Sequence, residues 1–393
     1  MSSVQNVLVV GAGIAGCSAA IALASRGARV TVIEKADAWR FQSSGIFVYS
    51  NGLQAFDHLG ALPGILTAGF TIGDGRNIYV DHEGTPIVDT FYPSPPSRSE
   101  VPPIVGIKRG DLQRVLAARL QTLQVDIALS TTVVALDPGD EDRPAQATLS
   151  SGEVRQFDLV VGADGIRSAT RTLLFGSIAP RYTGVGVWRS VHARPRDLTS
   201  KIMQMGVGKR LGLMPISNEL LYLFGTVREP ADAWYAQAQW PGLMRERFAE
   251  FNGPARRFLD ELSADSEVLY TAVEEVVLPL PWHRGRVLLI GDAAHASTPF
   301  MGQGGAMAVQ DAVVLAEVMQ TASSVGQGLL TFEQRRYPMC KLVQDVSRQV
   351  GEAGAREGIE ESLQRNLAMK AGAQQQVDDF YARLWTLSGA STN

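Results

Sequence analysis

One stretch, from Val7 to Glu34, limits the possible folds of this chain more than any other. It begins with Val7-Leu8-Val9-Val10, an apolar run typical of a buried parallel strand. A glycine-rich turn, Gly11-Ala12-Gly13-Ile14-Ala15-Gly16, leads into a helix of small residues, and a second strand, Arg29 to Ile33, then ends at Glu34. This order predicts a βαβ unit, and therefore an α/β fold with a parallel sheet.

The glycines of the turn have separate physical roles if the unit binds a dinucleotide. Gly11 permits the tight turn, Gly13 lets a pyrophosphate approach the backbone, and Gly16 lets helix and strand pack closely. The helix N-terminus offers free N–H groups to the phosphates, and Glu34 can accept hydrogen bonds from a ribose diol. The unit is therefore predicted to bind a dinucleotide.

A signal peptide or a membrane span is the alternative for this stretch, since Val7 to Ala24 contains no charged residue. The spaced glycines, the absence of a basic leader in Met1 to Asn6 and the immediate return to a strand argue against both. We expect a buried element of a soluble protein.

Charge and cysteine content exclude several classes of function. The 393 residues include 36 basic and 40 acidic ones, and no Lys/Arg block suggests nucleic acid or a membrane surface as a partner. Cys17 and Cys340 do not suggest a disulfide framework, so we expect a reducing, cytoplasmic setting. The histidines lack close metal-ligand spacing, and no metal site is predicted.

Two further buried strands end, like the first unit, in acidic residues. Phe157 to Val161 is followed by Asp164, and Arg286 to Ile290 is followed by Gly291-Asp292. Ligands of an open parallel sheet bind at the carboxyl ends of its strands. One acid there would be a helix cap, whereas three point to one large ligand with several hydroxyl and phosphate groups.

Three motifs together resemble the FAD-dependent aromatic hydroxylases of the para-hydroxybenzoate hydroxylase type: the Gly11 to Gly16 turn with Glu34, Asp164-Gly165, and Gly291-Asp292. In that family the first motif holds the ADP half of FAD, the second supports the pyrophosphate, and the third binds the ribityl chain. The resemblance implies a Rossmann-like FAD-binding domain with an inserted, mostly antiparallel β-sheet domain for the substrate and C-terminal helices. The cofactor-binding residues that it implies are Gly11, Gly13, Ala15, Gly16, Glu34, Lys35, Gly45, Ile46, Arg109, Val133, Asp164, Gly291, Asp292, Pro299, Gly302, Gly304 and Gly305.

The resemblance also implies a division of the chain and a reaction. Residues 1–72, 104–180 and 277–393 would form the FAD-binding domain, and residues 73–103 and 181–276 the substrate-binding domain. NADH or NADPH would reduce the FAD, and dioxygen would add to give a flavin C4a-hydroperoxide that hydroxylates a small aromatic or heteroaromatic molecule. The chain has no second GxGxxG, which fits transient binding of the nicotinamide. A monomer and a homodimer are both compatible with the sequence.

The glycine-rich loop from Pro299 to Gly305 has a physical role beside a flavin. Reduced flavin carries negative charge near N1, and a loop that feeds a helix N-terminus can direct N–H groups at that charge. The alternative is a plain helix-entry loop. Arg109 and Gly45 have similar alternatives, a solvated arginine and a turn or bulge glycine.

The substrate side is predicted from Gly208 to Pro215 and Tyr222, which resemble the branch containing urate hydroxylase and salicylate hydroxylase. The resemblance implies that Arg210 and Tyr222 orient the substrate and help to ionise it. The alternative interpretation is that Arg210 and Tyr222 are ordinary strand residues without a role in substrate binding. Tyr49 is a further candidate for the cavity, whereas His295 is more often a structural partner than a base.

Other functions on the same fold stay open from the sequence. A flavin-dependent reductase or halogenase is one, although Trp188 lacks the second tryptophan that such halogenases carry. A non-catalytic FAD-binding redox sensor is another, and the loop from Pro299 to Gly305 argues against it because its location suits isoalloxazine.

Overall fold

The computed structural model describes residues 4–39 and 44–389. Its strands, in chain order, are β1 (Asn6–Val10), β2 (Arg29–Ile33), β3 (Gly45–Tyr49), β4 (Phe70–Ile72), β5 (Arg76–Asp81), β6 (Pro86–Phe91), β7 (Ile104–Lys108), β8 (Asp126–Ala128), β9 (Val133–Asp137), β10 (Ala145–Leu149), β11 (Val154–Phe157), β12 (Leu159–Gly162), β13 (Arg181–Ala193), β14 (Lys201–Met205), β15 (Arg210–Pro215), β16 (Leu220–Arg228), β17 (Val268–Glu275), β18 (His283–Arg284) and β19 (Val287–Leu289). Its α-helices are α1 (Ile14–Ala24), α2 (Ser50–His58), α3 (Leu62–Ala68), α4 (Arg109–Thr122), α5 (Ala169–Phe175), α6 (Trp240–Arg247), α7 (Arg256–Asp260), α8 (Asp292–His295), α9 (Gly304–Thr321), α10 (Val325–Gly354) and α11 (Ile359–Ser388). Gln237–Gln239 and Pro299–Met301 form short 3₁₀ helices.

The predicted βαβ unit lies at the centre of a six-stranded sheet in the order β18-β19-β12-β1-β2-β8. All its neighbours pair in parallel except β18 and β19. The three apolar runs that predicted buried strands form β1, β12 and β19, and these strands are buried along nearly their whole length. The predicted α/β fold class is confirmed.

Close packing explains the glycines of the first turn. Gly11 has a φ of +102°, and a Cβ atom there would lie 2.6 Å from the carbonyl oxygen of Ala163. A Cβ atom on Gly16 would lie 1.8 Å from the carbonyl oxygen of Gly11, so a side chain would push α1 away from the turn. Both positions therefore require glycine for packing within the chain.

A second sheet has seven strands, in the order β17-β13-β16-β15-β14-β5-β6. Its strands pair antiparallel except β14 and β5, which pair in parallel. It lies across the cavity from the six-stranded sheet. Its two faces follow the two-residue period of strands. One face packs Leu211, Leu213, Leu221 and Leu223 into a core with helices α6 and α7. The other face carries Lys201, Met203, Arg210, Tyr222 and Phe224 towards a cavity.

The remaining elements close the structure around this cavity. Two three-stranded sheets, β3-β7-β4 and β11-β10-β9, lie beside the six-stranded sheet in the chain's core. The predicted C-terminal helices are present as α10 and α11. Helix α11 packs against β6 and α10, and places Phe380 and Tyr381 in the cavity wall.

Leu243, Phe248, Phe251 and Phe258 predict one helical segment from about Pro241 to Leu262, and this prediction is wrong as a single element. The structure has α6 and α7 there, with a break between Phe248 and Ala255. Gly253-Pro254 lies in the break, and proline disfavours the helical conformation of the residue before it.

The strands of the six-stranded sheet all fall within the segments predicted for the FAD-binding domain. Those of the seven-stranded sheet all fall within residues 73–103 and 181–276. The division into two domains stays a prediction. Among the described residues, no helix combines the length and the apolar composition that crossing a bilayer needs.

Candidate active site

A cavity of about 690 Å³ lies between the carboxyl ends of β1, β2 and β12 and the seven-stranded sheet. We call its part near the strand ends the strand-end cleft, lined by Gly13, Glu34, Arg109, Gly165 and Asp292. We call the part beneath α11 the inner chamber. The inner chamber is lined by Tyr79, Thr90, Tyr92, Lys201, Met203, Met205, Arg210, Arg365, Met369, Val377, Phe380 and Tyr381. The predicted site residues that line the cavity are Gly13, Ala15, Glu34, Gly45, Ile46, Tyr49, Arg109, Arg210, Tyr222, Asp292, Pro299, Gly302, Gly304 and Gly305.

The wall of the strand-end cleft is open at two glycines. A Cβ atom built on Gly13 or on Gly165 would meet nothing within 4 Å. Gly13 is also the N-terminal cap of α1, so free N–H groups of that helix follow it directly. A phosphate can approach the backbone at these points.

Glu34 is oriented by the turn that it faces. Its Oε2 accepts a hydrogen bond from the N–H of Ala12, and its Oε1 accepts one from the N–H of Ala36, each at 2.9 Å. Each carboxylate oxygen keeps further acceptor capacity. Glu34 can therefore still accept hydrogen bonds from ribose hydroxyls in the cleft.

The carboxylate of Asp164 is directed into its own loop. It accepts hydrogen bonds from the N–H and the hydroxyl of Thr170, both at 2.9 Å, and from the hydroxyl of Ser168. Ser168 in turn caps α5. These bonds fix the loop that presents Gly165 to the cleft, and the predicted direct contact of Asp164 with the cofactor has no support in this geometry.

A buried ionic network holds the Gly291-Asp292 turn. Asp311 on α9 accepts hydrogen bonds from the Gly291 N–H at 2.9 Å, from His295 Nε2 at 2.7 Å and from Arg336 Nε at 2.7 Å. Burial alone would raise the pKa of Asp311, but the two cationic partners lower it below its usual value. His295 acts within this network as a structural partner, in agreement with the expectation from the sequence.

Arg109 and Asp292 face each other across the cleft. Arg109 begins α4, and its guanidinium makes no hydrogen bond or ion pair with any described residue. Burial lowers its pKa. The Asp292 side chain is open to the cleft. Desolvation by the surrounding protein raises its pKa, and the nearby cationic groups of His295 and Arg109 lower it by a smaller amount. Both charged groups are free to bind a polar ligand.

The loop from Pro299 to Gly305 delivers the N-terminus of α9 to the cavity. Gly302 has a φ of +63°, and α9 starts at Gly304. The buried amide of Gln303 ties the loop to α2 and α11, because it accepts from Asn51 at 2.9 Å and donates to Tyr381 at 3.3 Å. The first N–H groups of an 18-residue helix therefore face the cavity from a fixed position.

Arg210 is a buried cation without a carboxylate partner among the described residues. Its side chain is 7% exposed, and its Nε donates to Thr226 Oγ1 at 3.2 Å. Its guanidinium lies 4.4 Å from the ring centroid of Phe300. Burial lowers the pKa of Arg210 to about 10, and the group stays charged at neutral pH.

Tyr222 explains the glycine at position 45. A Cβ atom on Gly45 would lie 2.6 Å from Cγ of Tyr222, so only glycine allows the ring to occupy this part of the cavity wall. The ring of Tyr222 also stacks on Phe224 with centroids 5.4 Å apart. Gly45 thus packs against the Tyr222 side chain, and the space above it is not left open for a flat ligand.

Sequence reasoning missed several lining residues, above all Lys201. Its Nζ donates to the hydroxyl of Tyr49 at 3.0 Å, and its side chain is 5% exposed. Gln113 was also missed; its amide donates to the carbonyl of Ala12 at 2.7 Å and supports the first turn. The alternation Lys201-Ile202-Met203-Gln204-Met205 was the available signal, because it places a lysine on the same strand face as two methionines.

Some predicted cofactor residues do not line the cavity. Gly11, Gly16 and Gly291 are packing positions, and a Cβ atom on Gly291 would lie 2.9 Å from the Cβ of Ala15. Lys35 is exposed outside the cavity, and Val133 is buried in β9. Direct cofactor contacts of these residues stay predictions without support from the cavity geometry.

Trp188 lies on the far face of the seven-stranded sheet. It is fully buried, and its indole N–H donates to Glu229 at 3.1 Å. It belongs to a core and not to the cavity, which gives no support to the halogenase alternative.

Comparison with known proteins identifies the family. Residues 5–347 match the family described as FAD binding domain. The chain belongs to this family. It is 31% identical over 387 residues to the aurachin C monooxygenase/isomerase of Stigmatella aurantiaca, covering 96% of this chain and 97% of that protein. It is 32% identical over 357 residues to the 2-heptyl-3-hydroxy-4(1H)-quinolone synthase of Pseudomonas aeruginosa, covering 89% of this chain and 90% of that protein.

Its fold is similar to that of Klebsiella pneumoniae HpxO, whose crystal structure was determined in complex with FAD and uric acid. The TM-score is 0.84, with 24% sequence identity over 97% of each chain. The protein is an FAD-dependent monooxygenase, as its sequence predicts.

The strand-end cleft fits FAD. Gly13 and Gly165 leave the backbone open, Glu34 keeps acceptor capacity, and Arg109 is free to bind an anionic group. The N-terminus of α9 lies where a helix dipole can stabilise negative charge on a reduced ring system.

Proposed function

We propose that this monooxygenase hydroxylates a small heteroaromatic compound that carries an acidic O–H or N–H group, a quinolone or a related ring. FAD would occupy the strand-end cleft and the substrate would occupy the inner chamber. The observation that carries this proposal is Arg210, a buried cation at the chamber wall that no carboxylate of the described residues neutralises. A buried charge is costly without a partner, and a partially or fully anionic substrate would supply one.

Different residues of the cleft would bind different parts of the cofactor. The backbone at Gly13 and the N-terminus of α1 would receive the pyrophosphate, and Glu34 the ribose hydroxyls. Asp292 would bind the ribityl hydroxyls, and Arg109 would contact the flavin ring system. When bound and reduced by NADH or NADPH, FAD supplies the activated oxygen that is transferred to the substrate.

The apolar walls of the chamber support an aromatic substrate with an attached alkyl group. Met203, Met205, Met369, Val377 and Phe380 form these walls. The name of the Pseudomonas aeruginosa relative describes a hydroxylated quinolone ring with a heptyl chain, which combines the same polar and apolar features. Enclosure by α11 would exclude water from the reacting ring, which prevents side reactions of the activated oxygen.

The proposal is tested by NADH and NADPH oxidation under air with 4-quinolones, phenolic acids, hydroxypyridines and purines, and with peroxide and product measured together. We expect one acidic heteroaromatic compound to stimulate oxidation with little peroxide and to gain an oxygen atom. If no aromatic compound raises oxidation above the rate without substrate, the proposed function is wrong.

Arg210→Gln isolates the residue on which the proposal depends. Loss of a charge-assisted hydrogen bond of about 1.5–3 kcal/mol lowers kcat/KM by about 10- to 100-fold. FAD content should stay unchanged, since Arg210 lies in the inner chamber. Arg196→Gln, at an exposed position, is the matched control and should leave kcat/KM unchanged. An Arg210→Gln enzyme with unaltered kcat/KM would contradict the substrate geometry.

A further inference from the structure

Lys201 occupies an unusual position for a lysine. It begins β14, is 5% exposed, and lies on the strand face that lines the inner chamber. Its Nζ lies 5.1 Å from the ring centroid of Phe47, 5.6 Å from that of Tyr49 and 5.5 Å from that of Tyr92. No carboxylate among the described residues pairs with it. Aromatic faces attract a cation, but they do not neutralise its charge.

The charge of this lysine is set by its surroundings. Burial, and then repulsion from Arg210, lower the pKa of Lys201 to about 7. The other titratable groups around it are Tyr49 on β3, Tyr79 on β5, and Tyr92 after β6, together with Tyr381 of α11, whose ring contacts Tyr92. Burial raises the pKa of each of these tyrosines, so they stay neutral. Lys201 is therefore the group of this cluster whose charge changes near neutral pH.

A second observation points to a polar ligand at the same end of the chamber. Thr90 is fully buried, lines the cavity, and its Oγ1 has no hydrogen-bond partner among the described residues. Thr90 pairs with Asn77 across β5 and β6, and Asn77 pairs with Lys201 across β5 and β14. The unpaired Thr90 hydroxyl and the Lys201 amine, which has no carboxylate partner, thus lie on one row of the sheet on either side of Asn77. Polar groups of a ligand in the chamber would give both of them a partner.

We propose that Lys201 accepts the proton of the acidic O–H or N–H group of the substrate. The O–H or N–H bond of the substrate breaks, its electron pair stays on the ring, and the proton forms a new N–H bond on the Lys201 amine. The products are an anionic ring and an ammonium group, and Arg210 shares the negative charge. An anionic ring is more nucleophilic, which favours transfer of an electrophilic oxygen to it.

The hydrogen bond to Tyr49 fits this role. A neutral lysine amine donates one N–H to the Tyr49 hydroxyl and keeps a lone pair for an incoming proton. Tyr49 therefore acts as a positioning residue, because it holds the amine at the chamber wall. This inference rests on the proposed function, since it concerns the acidic substrate described there.

The test uses the oxidised holoenzyme without NADH or NADPH, so that no turnover takes place. The probe is 4-fluorophenol, and fluorine NMR reports whether the bound phenol is ionised. Proton release to the buffer is measured separately by calorimetry in buffers of different ionisation enthalpy. Measurements at about pH 8 start from a mostly neutral Lys201, since its pKa is about 7.

Three variants separate proton transfer from simple charge attraction. The wild type should bind the phenol ionised with no net proton release, because the proton stays on Lys201. Lys201→Arg should bind it ionised and release about one proton, because arginine is already charged. Lys201→Met should bind it mostly neutral, with the pKa of the bound phenol raised by about one pH unit or more.

Matched controls exclude indirect effects. Lys341→Met, at a surface lysine paired with Asp345, should behave as the wild type. The ether 4-fluoroanisole, which has no acidic proton, should bind without any change in proton balance. FAD absorbance confirms that each variant holds its cofactor. If Lys201→Met does not fold, the comparison of wild type with Lys201→Arg still decides the question.

The inference is overturned if the wild type binds no 4-fluorophenol, binds it neutral, or releases a full proton on binding it. It is also overturned if Lys201→Met binds the ionised phenol as the wild type does. Proton transfer to Lys201 without hydroxylation of any tested aromatic would overturn the proposed function alone. Coupled hydroxylation with a neutral bound phenol would overturn this inference alone.

Discussion

Replacing Asp311 by asparagine tests how the fold holds the Gly291-Asp292 turn. Asp311 is fully buried and is the common acceptor for Gly291, His295 and Arg336. Asparagine keeps the size but removes the charge, and its NH2 group would face a hydrogen-bond donor. Removing one partner of a buried ionic pair leaves an uncompensated charge, which costs about 3–5 kcal/mol. We expect the free energy of unfolding to fall by this amount.

The contribution of this network to the free energy of unfolding depends on pH, and the pKa shifts of Asp311 and His295 give the direction. The native pKa of Asp311 is lowered, so its contribution is fully present above its unfolded pKa of about 3.9 and is lost as the pH falls through the native value. Burial alone would lower the pKa of His295, but Cys340 and Asp311 raise it well above its usual value. The contribution of His295 is therefore present below about pH 6.5 and is lost as the pH rises through the raised native value.

The assay is urea unfolding of the holoenzyme at a fixed excess of FAD, followed by tryptophan fluorescence. Wild type and Asp311→Asn should differ most near pH 6 and converge in strong acid. Asp345→Asn is the matched control, because Asp345 forms an exposed pair with Lys341 and should lose at most about 1 kcal/mol. An Asp311→Asn protein that loses no more than this control would refute the proposed role of the network.

Two further substitutions test the cleft and the cavity wall at Tyr222 separately. Asp292→Ala should give largely colourless protein because the ribityl hydroxyls lose their acceptor; a stoichiometric ratio of FAD to protein by absorbance would remove Asp292 from the cofactor site. Gly45→Ala would place a Cβ atom 2.6 Å from the Tyr222 ring, so we expect a raised KM for the aromatic substrate with FAD retained. Gly242→Ala, where a Cβ atom would meet nothing within 4 Å, should leave KM unchanged.

Local sequence patterns predicted the six-stranded sheet and most of the strand-end cleft. Hydrophobic runs followed by glycine or an acid identify β1, β12 and β19, and each signal lies within a few residues of the position that it predicts. The orientation of Asp164 was not predictable in this way. The same acid serves equally well as a ligand or as the brace of a loop, and only the positions of Ser168 and Thr170 decide between the two roles.

The inner chamber was less predictable because distant segments build it. Lys201 on β14 reaches Tyr49 on β3, a strand of another sheet, and no local pattern specifies that contact. Helix α11 returns over the chamber from the far end of the chain and contributes Tyr381 to its wall. An amphipathic pattern predicts a packing helix there, but it does not say which surface the helix covers.

Buried carboxylates in the cores and buried cations at the cavity differ in whether they have a partner of opposite charge. In the cores, buried carboxylates have cationic partners: Asp311 pairs with Arg336, and Glu275 pairs with Arg181 and Arg348. Three buried cations at the cavity, Lys201, Arg210 and Arg365, form no ion pair with a carboxylate among the described residues.

Stability alone would favour pairing these cations or replacing them with apolar residues. Their arrangement is better explained by ligands that bring the missing negative charge. Lys201 and Arg210 would meet it on the substrate ring, and Arg109, which is exposed to the cleft, would meet it on the cofactor. Local conflict with the rules of stable packing is expected where a protein performs its chemistry.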